Sequence, residues 1–157
     1  MPADNLLLVV DVQEQTMRFL SGKTSFLERV NRIIRTFQEK GQPIFYVKQK
    51  NMGSLYPQLV VDNDAPVFTK KEPSAFSEAS FTKKVEQEHP KNVVVVGLMS
   101  QACVQSTVKS ALNRDYSVTL ISDGHDSLVK PMRHHYNQLL TKLGAHRLTT
   151  DEFMLVN

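Results

Sequence analysis

The chain has 157 residues, 41% hydrophobic and 22% charged, which is the balance of one soluble globular domain with a single core. Its formal charge of +3 comes from basic residues interleaved with acids, as in Lys70-Lys71-Glu72, which argues against nucleic-acid binding, and no apolar run approaches the ~18 residues of a membrane helix. A lone cysteine excludes an intrachain disulfide, and with no basic segment ahead of an apolar stretch at Met1 to Asn5 the reading is a cytoplasmic protein.

Leu6 to Val10 reads as a strand buried on both faces that stops at Asp11, the pattern of a parallel sheet covered by helices. Ser25-Phe26-Leu27-Glu28 has the form of a capping box, and Val30, Ile33, Ile34 and Phe37 mark one helical face that ends at Gly41. Pro43 to Val47 and Val67 to Thr69 follow as strands. The polar connection from Lys48 to Pro66 is a candidate substrate loop. Ser80 is placed to cap a short helix through Phe81 and Val85, Val93 to Val96 is a fourth strand, and Ser100 is placed to cap the next helix. Ser117 to Ser122 reads as a fifth strand ending at Asp123. Pro131 opens a further helix, and a short strand from His146 to Thr149 and a terminal helix or turn from Asp151 to Leu155 complete the chain. Strand and helix alternate throughout, so an α/β domain with a parallel sheet is expected over residues 1–157.

Ligands of such sheets bind beyond the carboxyl ends of the strands. Asp11, Lys70 and Cys103 all fall there. Cys103 sits in the first turn of a helix after a buried strand, where unpaired N–H groups and the helix dipole lower a thiol pKa. The alternative is a small core hydrophobe. With Asp11 as base and Lys70 as cation, the three residue types can perform thiol-based acyl transfer as one coupled titrating unit.

Four blocks in order carry a resemblance. They are Leu8-Val9-Val10-Asp11-Val12-Gln13, Thr69-Lys70-Lys71-Glu72-Pro73-Ser74-Ala75-Phe76, the segment from Val94 to Thr107 around Cys103, and Asp115-Tyr116-Ser117-Val118 through Ser122-Asp123. Together they resemble the isochorismatase-like cysteine hydrolases, which include nicotinamidases and other amidases. The resemblance implies a three-layer α/β/α sandwich with a mainly parallel six-stranded sheet and an Asp11-Lys70-Cys103 triad. It also implies an oxyanion hole from the backbone N–H groups of Met99 and Cys103, with a cis peptide at Leu98-Met99, and Gln13, Phe76 and Ser100 beside the substrate. A homo-oligomer acting on a small molecule without a cofactor is the expected form.

The chain departs from the nicotinamidases in having no His from Met1 to Glu88, so no metal is expected. Met99 replaces a residue that is often small in the family, and Ser100 one that is often Thr. His125, just after the fifth strand, is a further candidate for touching substrate. Three readings compete with an amidase acting through a thioester. One is a vinyl-ether hydrolase of the isochorismatase kind, which does not rely on the cysteine. Another is a receiver-like module, which would need an acidic cluster after the first strand. The last is a binding protein with an inactive pocket.

Overall fold

A computed structural model describes residues 4–157; Met1 to Ala3, and with them most of the segment read above for a leader, lie outside the described residues. Six strands, β1 (Asn5–Val10), β2 (Ile44–Gln49), β3 (Val67–Lys70), β4 (Asn92–Leu98), β5 (Val118–Asp126) and β6 (His146–Leu148), form one sheet in the order β3-β2-β1-β4-β5-β6. Every neighbouring pair is parallel. The helices are α1 (Glu14–Met17), α2 (Lys23–Glu39), α3 (Ala79–Glu88), α4 (Gln105–Asn113), α5 (Pro131–Lys142) and α6 (Thr150–Val156).

The unbroken apolar run of β1 is explained by cover on both faces. Leu6, Leu8 and Val10 pack with Phe81, Val85, Val104, Val108 and Leu140 under α3, α4 and α5. Leu7 and Val9 pack with Val30, Ile33, Ile34, Phe37 and Phe153 under α2 and α6. The result is the expected α/β/α sandwich, with two apolar layers filled from alternate positions of the same strands.

Strand order reverses between β1 and β4, and the chain is unusually close-packed there. Val10 pairs with Gly97, whose φ is +136°, and a Cβ on Gly97 would lie 2.0 Å from the Val10 carbonyl oxygen. Only glycine fits. The residues that follow these two strands are thereby brought to one crevice, the usual ligand position in such sheets.

Three expected caps are corrected. α2 begins at Lys23, after Gly22 turns the chain with φ +72°, so Ser25 and Glu28 lie inside the helix rather than forming its capping box. α3 begins at Ala79 with Glu78 before it, and Ser80 donates to the Glu78 carboxylate instead. Ser100 opens a wide π turn, Ser100–Val104, ahead of α4, with its hydroxyl against His125. β5 is also longer than expected. After Leu120 it bulges, then pairs again with β4 through Gly97↔His125 and Leu98↔Asp126, because Asp123, His125 and Asp126 find partners inside the protein rather than in water.

Candidate active site

Asp11 follows β1 with a left-handed backbone, φ +54°, which is strained for a residue with a side chain and is held by its surroundings. Its N–H donates to Val47 O at 2.9 Å, and Thr16 Oγ1 donates to its carbonyl at 2.5 Å. The carboxyl group is closed to solvent. Lys70 ends β3, and the next segment is pinned to α4 by a hydrogen bond from Ala75 N to Thr107 Oγ1 at 3.1 Å and by Ser74 Oγ to Ser110 Oγ at 2.7 Å. Two of the sequence blocks thus brace each other, and the brace directs Lys70 inward.

Lys70 Nζ makes three contacts: Asp11 Oδ2 at 3.1 Å, Gln49 Oε1 at 2.5 Å and Cys103 Sγ at 3.3 Å. An ammonium has three donors, so all are engaged. Cys103 is half-buried in the π turn and also lies 3.8 Å from Gln49 Oε1. The structure therefore brings the three expected residues together and adds Gln49, which the sequence places only within the polar connection from Lys48 to Pro66 but which here ends a β2 longer than expected. Asp11 Oδ1 is buried with no hydrogen-bond partner among the described residues, which leaves it free to accept a proton.

Electrostatics overturn one expectation. Burial, then the neighbouring Asp11 charge, push the Cys103 thiol up to about 11, against the opposing pull of Lys70. That direction favours a neutral thiol at rest, because desolvation of an anion opposes and exceeds the attraction of the Lys70 cation. Asp11 is also raised, chiefly by burial and despite Lys70. A carboxylate with a raised pKa is a better base than a free one.

The other candidates divide differently. Gln13 is fully buried, and its side chain spans to Gln49 and Gly53: Nε2 donates to their carbonyls at 3.1 and 2.9 Å, and Oε1 accepts from Gln49 N at 2.9 Å. It fastens the loop after β2, which folds back over the residues following Asp11. Phe76 is 5% exposed, edge-on to Phe81 at 5.1 Å, with the Arg114 guanidinium 4.9 Å from its ring centre; it belongs to the core. Ser100 is fully buried and faces His125. None of these three side chains opens to a ligand, because each is consumed by packing or by internal hydrogen bonds. His125, expected in a loop, is inside for the same reason. The amides of Met99 and Cys103 lie on either side of the start of the π turn, after a cis Leu98-Met99 peptide. Among the described residues, no group of three or more His, Cys, Asp or Glu could hold a metal ion, and no helix is long and apolar enough to cross a membrane.

Residues 5–152 match the isochorismatase domain. The chain is 24% identical to an uncharacterized isochorismatase family protein, YddQ, of Bacillus subtilis, over 94% of this chain and 97% of that one. It is similar in structure to the MAR1 ribonuclease of Caenorhabditis elegans, with a TM-score of 0.88 and 23% identity, covering 98% of this chain and 81% of that chain. A TM-score of 0.88 also relates it to the YcaC gene product of Escherichia coli, an octameric hydrolase of unknown specificity, at 20% identity over 95% and 76% of the two chains. At these identities the structural likeness speaks for the fold, whereas the domain match spans nearly the whole chain: the protein belongs to the isochorismatase-domain family.

Proposed function

We propose that the chain is a metal-independent hydrolase of a small carboxamide or related C–N bond, acting through a thioester on Cys103. The single observation that carries this reading is the contact of one buried ammonium, Lys70 Nζ, with both the Asp11 carboxylate and the Cys103 sulfur.

In the reaction Asp11 takes the thiol proton as sulfur bonds to the substrate carbonyl carbon, and the C=O π pair moves to oxygen. The backbone N–H groups of Met99 and Cys103 would hold that oxyanion. As the intermediate collapses, the C–N bond breaks and Asp11 returns its proton to the departing nitrogen. Water then attacks the thioester, Asp11 accepting its proton and passing it back to sulfur as the acid leaves. Lys70 offsets the negative charge as it moves between carboxylate and sulfur. A neutral thiol beside a raised carboxylate suits this cycle, since the proton is transferred during attack instead of being lost beforehand.

A homo-oligomer belongs to the same reading. The octameric assembly of a structural neighbour supports it, as do the exposed Phe19, Leu128 and Val129 on two loops linked by Lys130 Nζ donating to Ser21 O at 2.6 Å. Light scattering showing a monomer at working concentration would overturn it.

The decisive experiment is rapid acid quench and intact-mass analysis during turnover of a carboxamide panel, with vinyl ethers and an unstructured RNA alongside. An acyl adduct on Cys103 that disappears in Cys103→Ala is expected. Vinyl-ether turnover that survives Cys103→Ala but not Asp11→Asn would favour the competing isochorismatase chemistry. RNA cleavage without an adduct would replace both.

A further inference from the structure

His125 is fully buried in the extension of β5, outside the contacts made by Lys70. Its Nδ1 lies 2.7 Å from Ser100 Oγ and its Nε2 2.7 Å from Asn137 Oδ1, while Asn137 Nδ2 donates to the Ser122 carbonyl at 3.0 Å. The proton positions along this chain follow from one fixed end. A backbone carbonyl can only accept, so the Asn137 atom facing Ser122 is its NH2 and the atom facing His125 is its oxygen. Nε2 must then carry a hydrogen. In a neutral imidazole Nδ1 is consequently an acceptor, and the Ser100 hydroxyl donates to it.

Neutrality is favoured by the surroundings. Burial pushes the His125 pKa down to about 4; the Asn137 contact, Asp126 and Asp123 pull it upward without prevailing, and Arg133 adds to the lowering. An imidazolium would present two donors, so the Ser100 hydroxyl would have to turn and accept from Nδ1 instead of donating to it.

The chain joins three elements. Ser122 lies in the bulge of β5 and His125 resumes the pairing after it, Asn137 lies on α5, and Ser100 opens the π turn that ends in Val104. That turn is widened, with the Val104 amide reaching back to Met99 O at 3.2 Å, and a wide turn has poorer internal hydrogen bonding than a regular helix. An outside anchor therefore has something to hold.

We propose that His125 is a positioning residue, which fixes the turn bearing the Met99 and Cys103 amides through the Ser100 hydroxyl and ties it to α5 through Asn137. The inference rests on the thioester reading and deepens it, because it separates two functions of one turn. Thiol reactivity belongs to Asp11, Lys70 and Cys103. Oxyanion stabilisation belongs to a turn held by Ser100 and His125, and catalytic donors lose effect when displaced by fractions of an ångström.

The test uses two readouts on the full chain. Alkylation of Cys103 by iodoacetamide reports the thiol. Protection from alkylation by benzaldehyde or acetaldehyde reports the oxyanion donors. In the adduct an S–C bond forms, the C=O π bond breaks, and the thiol proton passes through Asp11 to the new oxygen, so no group departs. Ser100→Ala and His125→Phe are compared with Ser100→Thr, which keeps the hydroxyl, and folding is checked by circular dichroism. Alkylation within about twofold of the wild type, aldehyde protection about tenfold weaker in Ser100→Ala and His125→Phe, and recovery in Ser100→Thr are expected. ¹⁵N NMR of the wild type should show a protonated Nε2 and a bare Nδ1 on His125. Unchanged aldehyde protection, or protection and alkylation falling together, overturns the inference, as does the opposite tautomer. A wild-type Cys103 that neither alkylates nor takes up aldehyde overturns the thioester reading itself, and this inference with it.

Discussion

Lys70 Nζ and Asp11 Oδ2 stand 3.1 Å apart with both side chains closed to water. An ion pair so placed has given up its hydration, and its partners compensate each other only together. Removing one leaves a buried charge with no counter-ion. Lys70→Met should therefore lower unfolding stability by about 3–5 kcal/mol at neutral pH. The double variant Asp11→Asn/Lys70→Met should lose less than the sum of the single changes. Urea unfolding of all four proteins measures this, and strict additivity would show that the pair does not act as a unit.

Acid should find a second weak point at His125. Its folded-state pKa is about 4 against an ordinary 6.5, so between these values the unfolded chain binds the proton and the folded chain does not. Stability then rises with pH across that window. The contribution is complete above pH 6.5, is lost as pH falls toward 4, and amounts to about 3 kcal/mol. A series of urea midpoints from pH 7 to 4 should fall more steeply for the wild type than for His125→Phe. Parallel curves would place the acid sensitivity elsewhere.

Gly97→Ala should be the most damaging single-methyl change at the crevice. The added carbon would meet the Val10 backbone, which no rotamer change relieves, and the φ of +136° is itself unfavourable for alanine. Either β1 and β4 separate or the chain fails to fold, and both outcomes draw Asp11 away from Cys103. Expected is insoluble protein, or a loss of about 3 kcal/mol or more by urea unfolding together with loss of Asp11's influence on Cys103. A stable variant with normal thiol behaviour would refute the close-packing argument.

The sequence discloses the architecture of this protein better than the fine structure of its site. Short apolar runs rich in β-branched residues, such as Leu6 to Val10 and Val93 to Val96, read as strands covered twice, and their alternation with helical periods leads to a parallel sheet. Asp11, Lys70 and Cys103 are legible because each is a reactive residue type at the end of such a run. Gln49 is not, since an amide after Tyr46-Val47-Lys48 signals nothing until Lys70 is seen to need an acceptor. His125 fails for the converse reason. Ser122-Asp123-Gly124-His125-Asp126 has the composition of a loop, yet Asp123 accepts from the N–H and hydroxyl of Thr150 at 2.8 Å, and Asp126 pairs with Lys130 at 2.9 Å. With these groups satisfied internally the segment can return to the sheet. Local polarity cannot reveal partners that lie on other elements.

The thiol itself offers the sharpest test of the site's electrostatics. A cysteine activated as a standing thiolate would alkylate at a rate nearly independent of pH above neutrality. Cys103, pushed up to about 11 by burial and Asp11, should instead react faster by about tenfold for each pH unit up to that region. Asp11→Asn removes a negative neighbour and should move the midpoint down, whereas Lys70→Met removes the stabilising cation and should move it up. Opposite shifts from the two partners would be hard to produce by general loosening, which would move both variants toward the ordinary cysteine value. The same shift makes stability decline between pH 9 and 11, where the unfolded chain has lost a proton that the folded chain retains. Iodoacetamide rates from pH 6 to 11 on the three proteins supply the measurement. A plateau below pH 8 in the wild type would restore the preformed thiolate and remove the need for Asp11 to act as base during attack.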